Sequence, residues 1–312
     1  MSDNPFSLLD FLGYFFPGAT VLMALYHYTS VVNDMFDIED EASVMMYVVC
    51  IIAAYVLGHV VALVSSLTVE KYANWKYGYP SQYLLKSYSR GRFFRDRPMN
   101  NPSINAKSKQ WFFFWKTVMK LFVLVLLVPI TICDCALSKL LGIDYYYTRR
   151  LPGEQVSMIR AKSVNLYKAL NIYSASRPVF QNDSHRIIHN YYYEKADGHS
   201  KRMDNCIAVY DFLRAMSLVF VVLFFVALFK GIRSIDPECP PDWTSISLIV
   251  GFFFMSYLCF MGFMKFYRKF SVENFMCLIC DGDLSIVNTT QHDNNLTTGV
   301  PAQQEGNDVT VE

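Results

Sequence analysis

Apolar residues in this chain gather into stretches long enough to cross a lipid bilayer, separated by polar blocks of opposite charge. Residues 44–67, VMMYVVCIIAAYVLGHVVALVSSL, run 24 positions without Asp, Glu, Lys, Arg or Pro. At ~1.5 Å rise per residue that is ~36 Å of helix, enough for a ~30 Å hydrocarbon core with some tilt. A first span is expected over 15–32, with Pro17 and Gly18 just inside its start, where a missing N–H is tolerated. Third and fourth spans are expected over 215–232 and 245–264, the last closed by Lys265, Arg268 and Lys269. The apolar run 121–133 is shorter, is interrupted by Pro129 and is followed by Asp134. It suits a re-entrant, interfacial or buried helix better than a crossing one.

The expected fold is therefore an all-α integral membrane protein with four transmembrane helices. One pair lies in 1–67 and the second in 215–269, with a helical cytoplasmic insert, 68–214, between them. A membrane-associated, non-spanning helix is expected near 117–142, and a cytoplasmic tail over 270–312, disordered from about residue 284. Within 151–170, apolar residues at 156, 159, 166 and 170 predict an amphipathic helix. Residues 1–12 carry no basic stretch and no small-residue cleavage pattern, so no removable signal peptide is expected.

Composition agrees with a membrane protein: 53% of residues are hydrophobic, 16% aromatic and 18% charged. The net charge of +1 conceals a segregation. Residues 68–214 hold 23 of the 28 Lys and Arg but only 10 of the 27 Asp and Glu. Residues 33–42 carry five acids and no base, and 234–243 three acids and no base. The bias of Lys and Arg toward the cytoplasm places both acidic loops outside, the insert inside and both termini in the cytoplasm of a cell whose inner (plasma) membrane holds the chain. Eight cysteines are scattered along the chain, several inside apolar runs, as expected of a reduced setting.

Four groups of residues invite a role. Ala54, Gly58, Ala62 and Ser66 recur every fourth position, a ladder of small side chains on which another helix can pack closely. His27 and His59 are ionisable groups inside clear spans; counted from the cytoplasmic ends they fall within roughly 6 Å of the same depth. With Arg214, where the basic insert enters the third span, they are candidates for a pore or gate. Arg90, Arg92, Arg95 and Arg97 surround Phe93 and Phe94, and this patch is a candidate ligand site: guanidinium forks suit phosphate, and aromatic rings suit a stacked base. Headgroup anchoring is the plainer use of the same charge. Tyr72, Trp75, Tyr77 and Tyr79 are placed like an interfacial aromatic belt.

No catalytic residue, resident metal or cofactor is assigned. The G-x-S-x-G, H-E-x-x-H, G-x-x-x-x-G-K-[ST] and G-x-G-x-x-G patterns do not occur. Cys277-x-x-Cys280 lacks a second ligand pair, and His185 with His189 suits a solvated helix face.

Two paired spans, a basic insert and Tyr210-x-Phe212-x-Arg214-x-x-Ser217 at the entry to the third span resemble bacterial four-pass membrane proteins. Among these are effectors encoded beside nucleotidyltransferases in antiviral systems of the Hailong and CBASS types. The resemblance covers the architecture of roughly 1–280 and implies a homo-oligomeric channel or membrane disruptor. It further implies gating through the insert by a nucleotide or single-stranded oligonucleotide, with a partner enzyme in the cytoplasm. The alternative is a non-catalytic membrane anchor or scaffold that recruits a cytoplasmic partner through 68–214.

Overall fold

The protein is described by a computed structural model over residues 11–28, 44–85, 106–170, 184–195, 197–233 and 243–282. All regular structure among these residues is helical. A π turn, Phe11–Phe15, leads into α1, Phe16–Tyr28. Next come α2, Val44–Ser65, a second π turn, Ser66–Glu70, α3, Lys71–Lys76, and the short α4, Pro80–Leu84. The middle of the chain forms α5, Ala106–Leu126, α6, Val128–Leu141, α7, Asp144–Thr148, α8, Gly153–Ala169, and α9, Ser184–Lys195. Two long helices complete the fold: α10, Asp197–Arg233, and α11, Trp243–Cys280.

Among the described residues, three helical stretches are long and apolar enough to cross a membrane: Val44–Leu84, Arg202–Arg233 and Trp243–Cys280. A fourth candidate is α5 with α6, which meet at an angle of 85°. The chain is thus a helical, multi-pass membrane protein by length and composition. Pro129 explains the bend. Its ring displaces the Val125 carbonyl and it has no N–H to offer, so α5 stops at Leu126 and the proline sits in the first turn of α6. Gly142, with φ of 61°, ends α6 in the left-handed conformation that a side chain would disfavour.

Pro17 acts one turn deeper than expected. Helical structure is already present at Phe11, and the Gly13 carbonyl, denied a partner at Pro17, lies in a wide π turn. The small-residue ladder serves α1 along its first half. Ala54 and Gly58 are buried, and a Cβ on Gly58 would fall on the Tyr14 carbonyl, while one on Gly18 would meet the Ala54 carbonyl. Ala62 and Ser66 are only partly buried, and the inward face continues instead through Ser65, Thr68 and Val69, the last two within the π turn.

The apolar core lies where α3, the α5–α6 bend and the two long helices converge, with Val69, Leu127, Ile130, Val221, Phe260 and Phe263 at its centre. A second cluster, built on Leu84, Ile159, Leu166, Ile188, Phe275 and Leu278, fastens α8 and α9 to the far end of α11. The stripe on α8 is buried at Val156, Ile159 and Leu166, but Leu170 caps the helix and is exposed. Both long helices outrun their expected spans. Lys265, Arg268 and Lys269 lie inside α11, which continues to Cys280.

Candidate functional site: a buried carboxylate cage

Asp134 is the most unusual residue in the fold. It projects from α6 into the core with 0% exposure, and donors from two other segments converge on it. Tyr72 Oη donates to Oδ2 at 2.9 Å, and Tyr147 Oη donates to Oδ1 at 3.0 Å. Tyr77 Oη lies 2.7 and 2.8 Å from the two oxygens, and Lys76 Nζ is 2.6 Å from Oδ2. A carboxylate offers about four lone-pair sites, so this one is filled by the protein itself. The arrangement follows from helix geometry. Tyr72 and Lys76 are one turn apart on α3, Tyr77 follows at its end, and α7 brings Tyr147 from the opposite side. Lys76 also lies over the Tyr72 and Tyr77 rings at 5.8 and 5.2 Å. Burial pushes the Tyr147 phenol well above its ordinary pKa, with Tyr77 and Asp134 adding to it, so it remains a donor.

The interfacial belt expected at 72–79 is accordingly split. Tyr72 and Tyr77 face inward as cage donors, and only Tyr79 of the three tyrosines is exposed. Sequence reasoning missed the cage, although a signal existed. Asp134 is the sole acid between 97 and 143, and Tyr72-x-x-x-Lys76-Tyr77 offers three donors at helical spacing.

One to two turns earlier, the π turn aims Glu70 at α10. Arg214 Nη1 lies 2.6 Å from Glu70 Oε2, and Nη2 lies 2.7 Å from Asp211 Oδ1. Every named residue of the entry motif pins a different neighbour. Tyr210 packs among Phe263, Tyr267 and Phe270 of α11, and Phe212 meets the edge of Phe16 on α1. Ser217 Oγ donates to the Ser256 carbonyl on α11 at 2.9 Å, and both serines are fully buried. Arg214 is thus an interhelical tie.

The two histidines are not brought together. His59 stacks on Tyr14 at 4.2 Å and meets the edge of Tyr55, whereas His27 lies 13 residues beyond Tyr14. That is about 20 Å of helix. The depth estimate fails because the two ends it counts from are not level: Tyr14, beside the expected start of the first span at 15, packs against Gly58 and His59, eight residues short of the expected end of the second span at 67. The Arg90, Arg92, Phe93, Phe94, Arg95 and Arg97 patch lies outside the described residues, as do both acidic loops and the tail from 283.

A third polar cluster clasps the end of α11. Lys162, nearly buried on α8, donates to the Ile279 and Asp281 carbonyls, each at 2.6 Å. An ammonium at a helix C-terminus satisfies orphan carbonyls and complements the helix dipole. Tyr192 and Lys195 of α9 hold the Asp281 carboxylate at 2.9 and 3.1 Å. Burial raises the Tyr192 pKa, and the bond to Asp281 raises it further. His189 Nδ1 lies 3.3 Å from Asn274 Oδ1, with the ring against Phe270. Among the described residues no three His, Cys, Asp or Glu gather as metal ligands.

No protein-family model matches the chain, and neither the curated proteins nor the solved structures yield a match.

Proposed function

We propose that the chain is a channel-like or membrane-disrupting effector of bacterial antiviral defence, with no enzymatic chemistry, working as a homo-oligomer in the inner membrane. It makes four passes with both termini in the cytoplasm and is switched through its cytoplasmic insert by a nucleotide or short single-stranded oligonucleotide. One observation carries this reading: the Lys162, Tyr192 and Lys195 clasp fixes α8 and α9 to the end of α11, which continues unbroken into a span. A movement of the insert therefore pulls directly on a membrane helix. The polar residues of the core serve that mechanical role, since Asp134 is filled by protein donors and sealed from any substrate.

In this reading α5 and α6 form a re-entrant loop. Lys120 Nζ lies 5.8 Å from the Trp75 ring, and Asp134 pairs with Lys76. The two positions stand seven residues either side of Leu127, yet meet adjacent residues of α3. In a straight helix they would be ~21 Å apart along the axis. Folding the pair at Leu127 brings both limbs back to one level.

Flux from proteoliposomes tests the proposal. A nucleotide panel and short oligonucleotides are added to wild type and to Lys162→Met, which keeps the aliphatic stem but releases the clasp. Ligand-dependent flux by wild type, reduced at least fivefold in the variant at equal folded yield, is expected. Partner capture without flux under any ligand favours the scaffold. Changing Arg90, Arg92, Arg95 and Arg97 together to Lys preserves charge and removes the forks. It is expected to weaken oligonucleotide binding by ~1–3 kcal/mol.

A further inference from the structure

We propose that the turn joining α6 to α7 is an anionic-lipid contact that reports to the Asp134 cage through Tyr147, a role that stands whether or not the protein conducts. Four large side chains crowd this turn with little cover. Leu140 is 79% exposed, Leu141 69%, Tyr145 64% and Tyr146 79%. The left-handed Gly142 ends α6 between the two pairs, and all four side chains stand uncovered on either side of it.

Charge and level identify what they meet. Lys139, Arg149 and Arg150 are exposed beside the apolar tip, and residues 135–150 contain one acid, Asp144. The Arg149 carbonyl accepts from the Arg268 guanidinium at 3.1 Å. Arg268 stands three residues beyond Lys265, where the apolar stretch of α11 gives way to bases. The turn is therefore held at headgroup level, where apolar and tyrosyl side chains enter the acyl boundary and Lys or Arg meets phosphate. The outer side of the bent pair is apolar as well, with Phe122, Val125 and Ile132 exposed. The tip continues that lipid-facing surface, and the occupant is the anionic lipid of the same membrane.

The coupling lies in α7. Tyr145 and Tyr146 face outward, while Tyr147, the next residue, is buried and donates to Asp134. A helix of five residues has no slack to absorb a tilt. Seating its outer face in lipid sets the position of one cage donor.

Full-length protein in nanodiscs of phosphatidylcholine, or of phosphatidylcholine with phosphatidylglycerol at about seven to three, tests both parts. In a background without native cysteines, Tyr146→Cys carries an environment-sensitive fluorophore. Blue-shifted emission, quenched by shallow spin-labelled lipid and at least twofold more in the anionic discs, is expected. Arg149→Gln with Arg150→Gln is expected to abolish the dependence on phosphatidylglycerol, and Leu140→Ser with Leu141→Ser to lower quenching in both discs. These positions are exposed and supply no cage donor, so folded yield is preserved. Cys133, buried beside Asp134 and kept as the lone cysteine of a second protein, reads the coupling. Its reaction with a small thiol reagent is expected to slow severalfold in anionic discs, and not in the double Arg variant. A water-exposed, iodide-quenched fluorophore in both discs overturns the lipid contact, as does shielding seen only with added cytosolic protein. Equal Cys133 rates in both discs overturn the coupling.

Discussion

Withdrawing a carboxylate from water costs several kcal/mol unless its charge and lone pairs are matched, and Asp134 meets both demands with a Lys and three phenols. The cost of disturbing it depends on what remains. Asp134→Leu leaves the Lys76 ammonium and three hydroxyls facing an apolar side chain, a loss of ~3–5 kcal/mol. Adding Lys76→Met removes the stranded charge and is expected to restore part of that loss. Tyr147→Phe deletes one donor while keeping the ring, at ~1–2 kcal/mol. Thermal unfolding in detergent ranks the variants: wild type, Tyr147→Phe, the double variant, then Asp134→Leu. An Asp134→Leu protein as stable as wild type removes the cage from the energetics. In the sequence the same residue reads only as the acid that ends an apolar run. Its partners lie 62, 58, 57 and 13 positions away, and nothing local pairs them.

At the scale of elements, two prolines and two π turns decide how the helices meet. The ladder of small residues was legible because close helix approach demands small side chains at a fixed spacing, and Ala54 and Gly58 do meet the backbone of α1. Its last member, Ser66, opens a π turn, which admits an extra residue and rotates the helix beyond it, as a repeat of four cannot reveal. Gly58→Leu forces a branched side chain into the Tyr14 carbonyl, so the α1–α2 crossing must open. Val60 is exposed, and Val60→Leu adds one methylene to a surface turned outward. Folded yield in detergent is expected to fall severalfold for the first change and to hold for the second. Matching yields would show that the crossing tolerates separation.

Across the whole molecule, sequence periodicity and charge carry far because membrane helices must satisfy their backbone internally and because loops record orientation. They located α2, α10 and α11 and the break near Pro129, whereas the cage and the clasp needed the fold. Lys162 illustrates why: on α8 it occupies the same face as Ile159 and Leu166, and only the end of α11 explains a buried ammonium there. The charge segregation makes the last prediction. By the positive-inside rule the acidic loops at 33–42 and 234–243 are expected outside, and the basic residues 68–214 inside. A crossing by α5–α6 would turn α8 and α9 outward, a re-entrant pair would not. Single cysteines at Ile38, Asp236, Lys109 and Ser157, in a background without native cysteines, distinguish these cases with an impermeant maleimide. Ser157 is exposed on α8 and donates only to the Glu154 carbonyl of its own helix, so its replacement perturbs no tie. Intact cells are expected to label the first two positions, and inverted vesicles the last two. Labelling of Ser157→Cys in intact cells, with Lys109→Cys still protected, would make the bent pair a true crossing and reverse the side on which α8 and α9 lie.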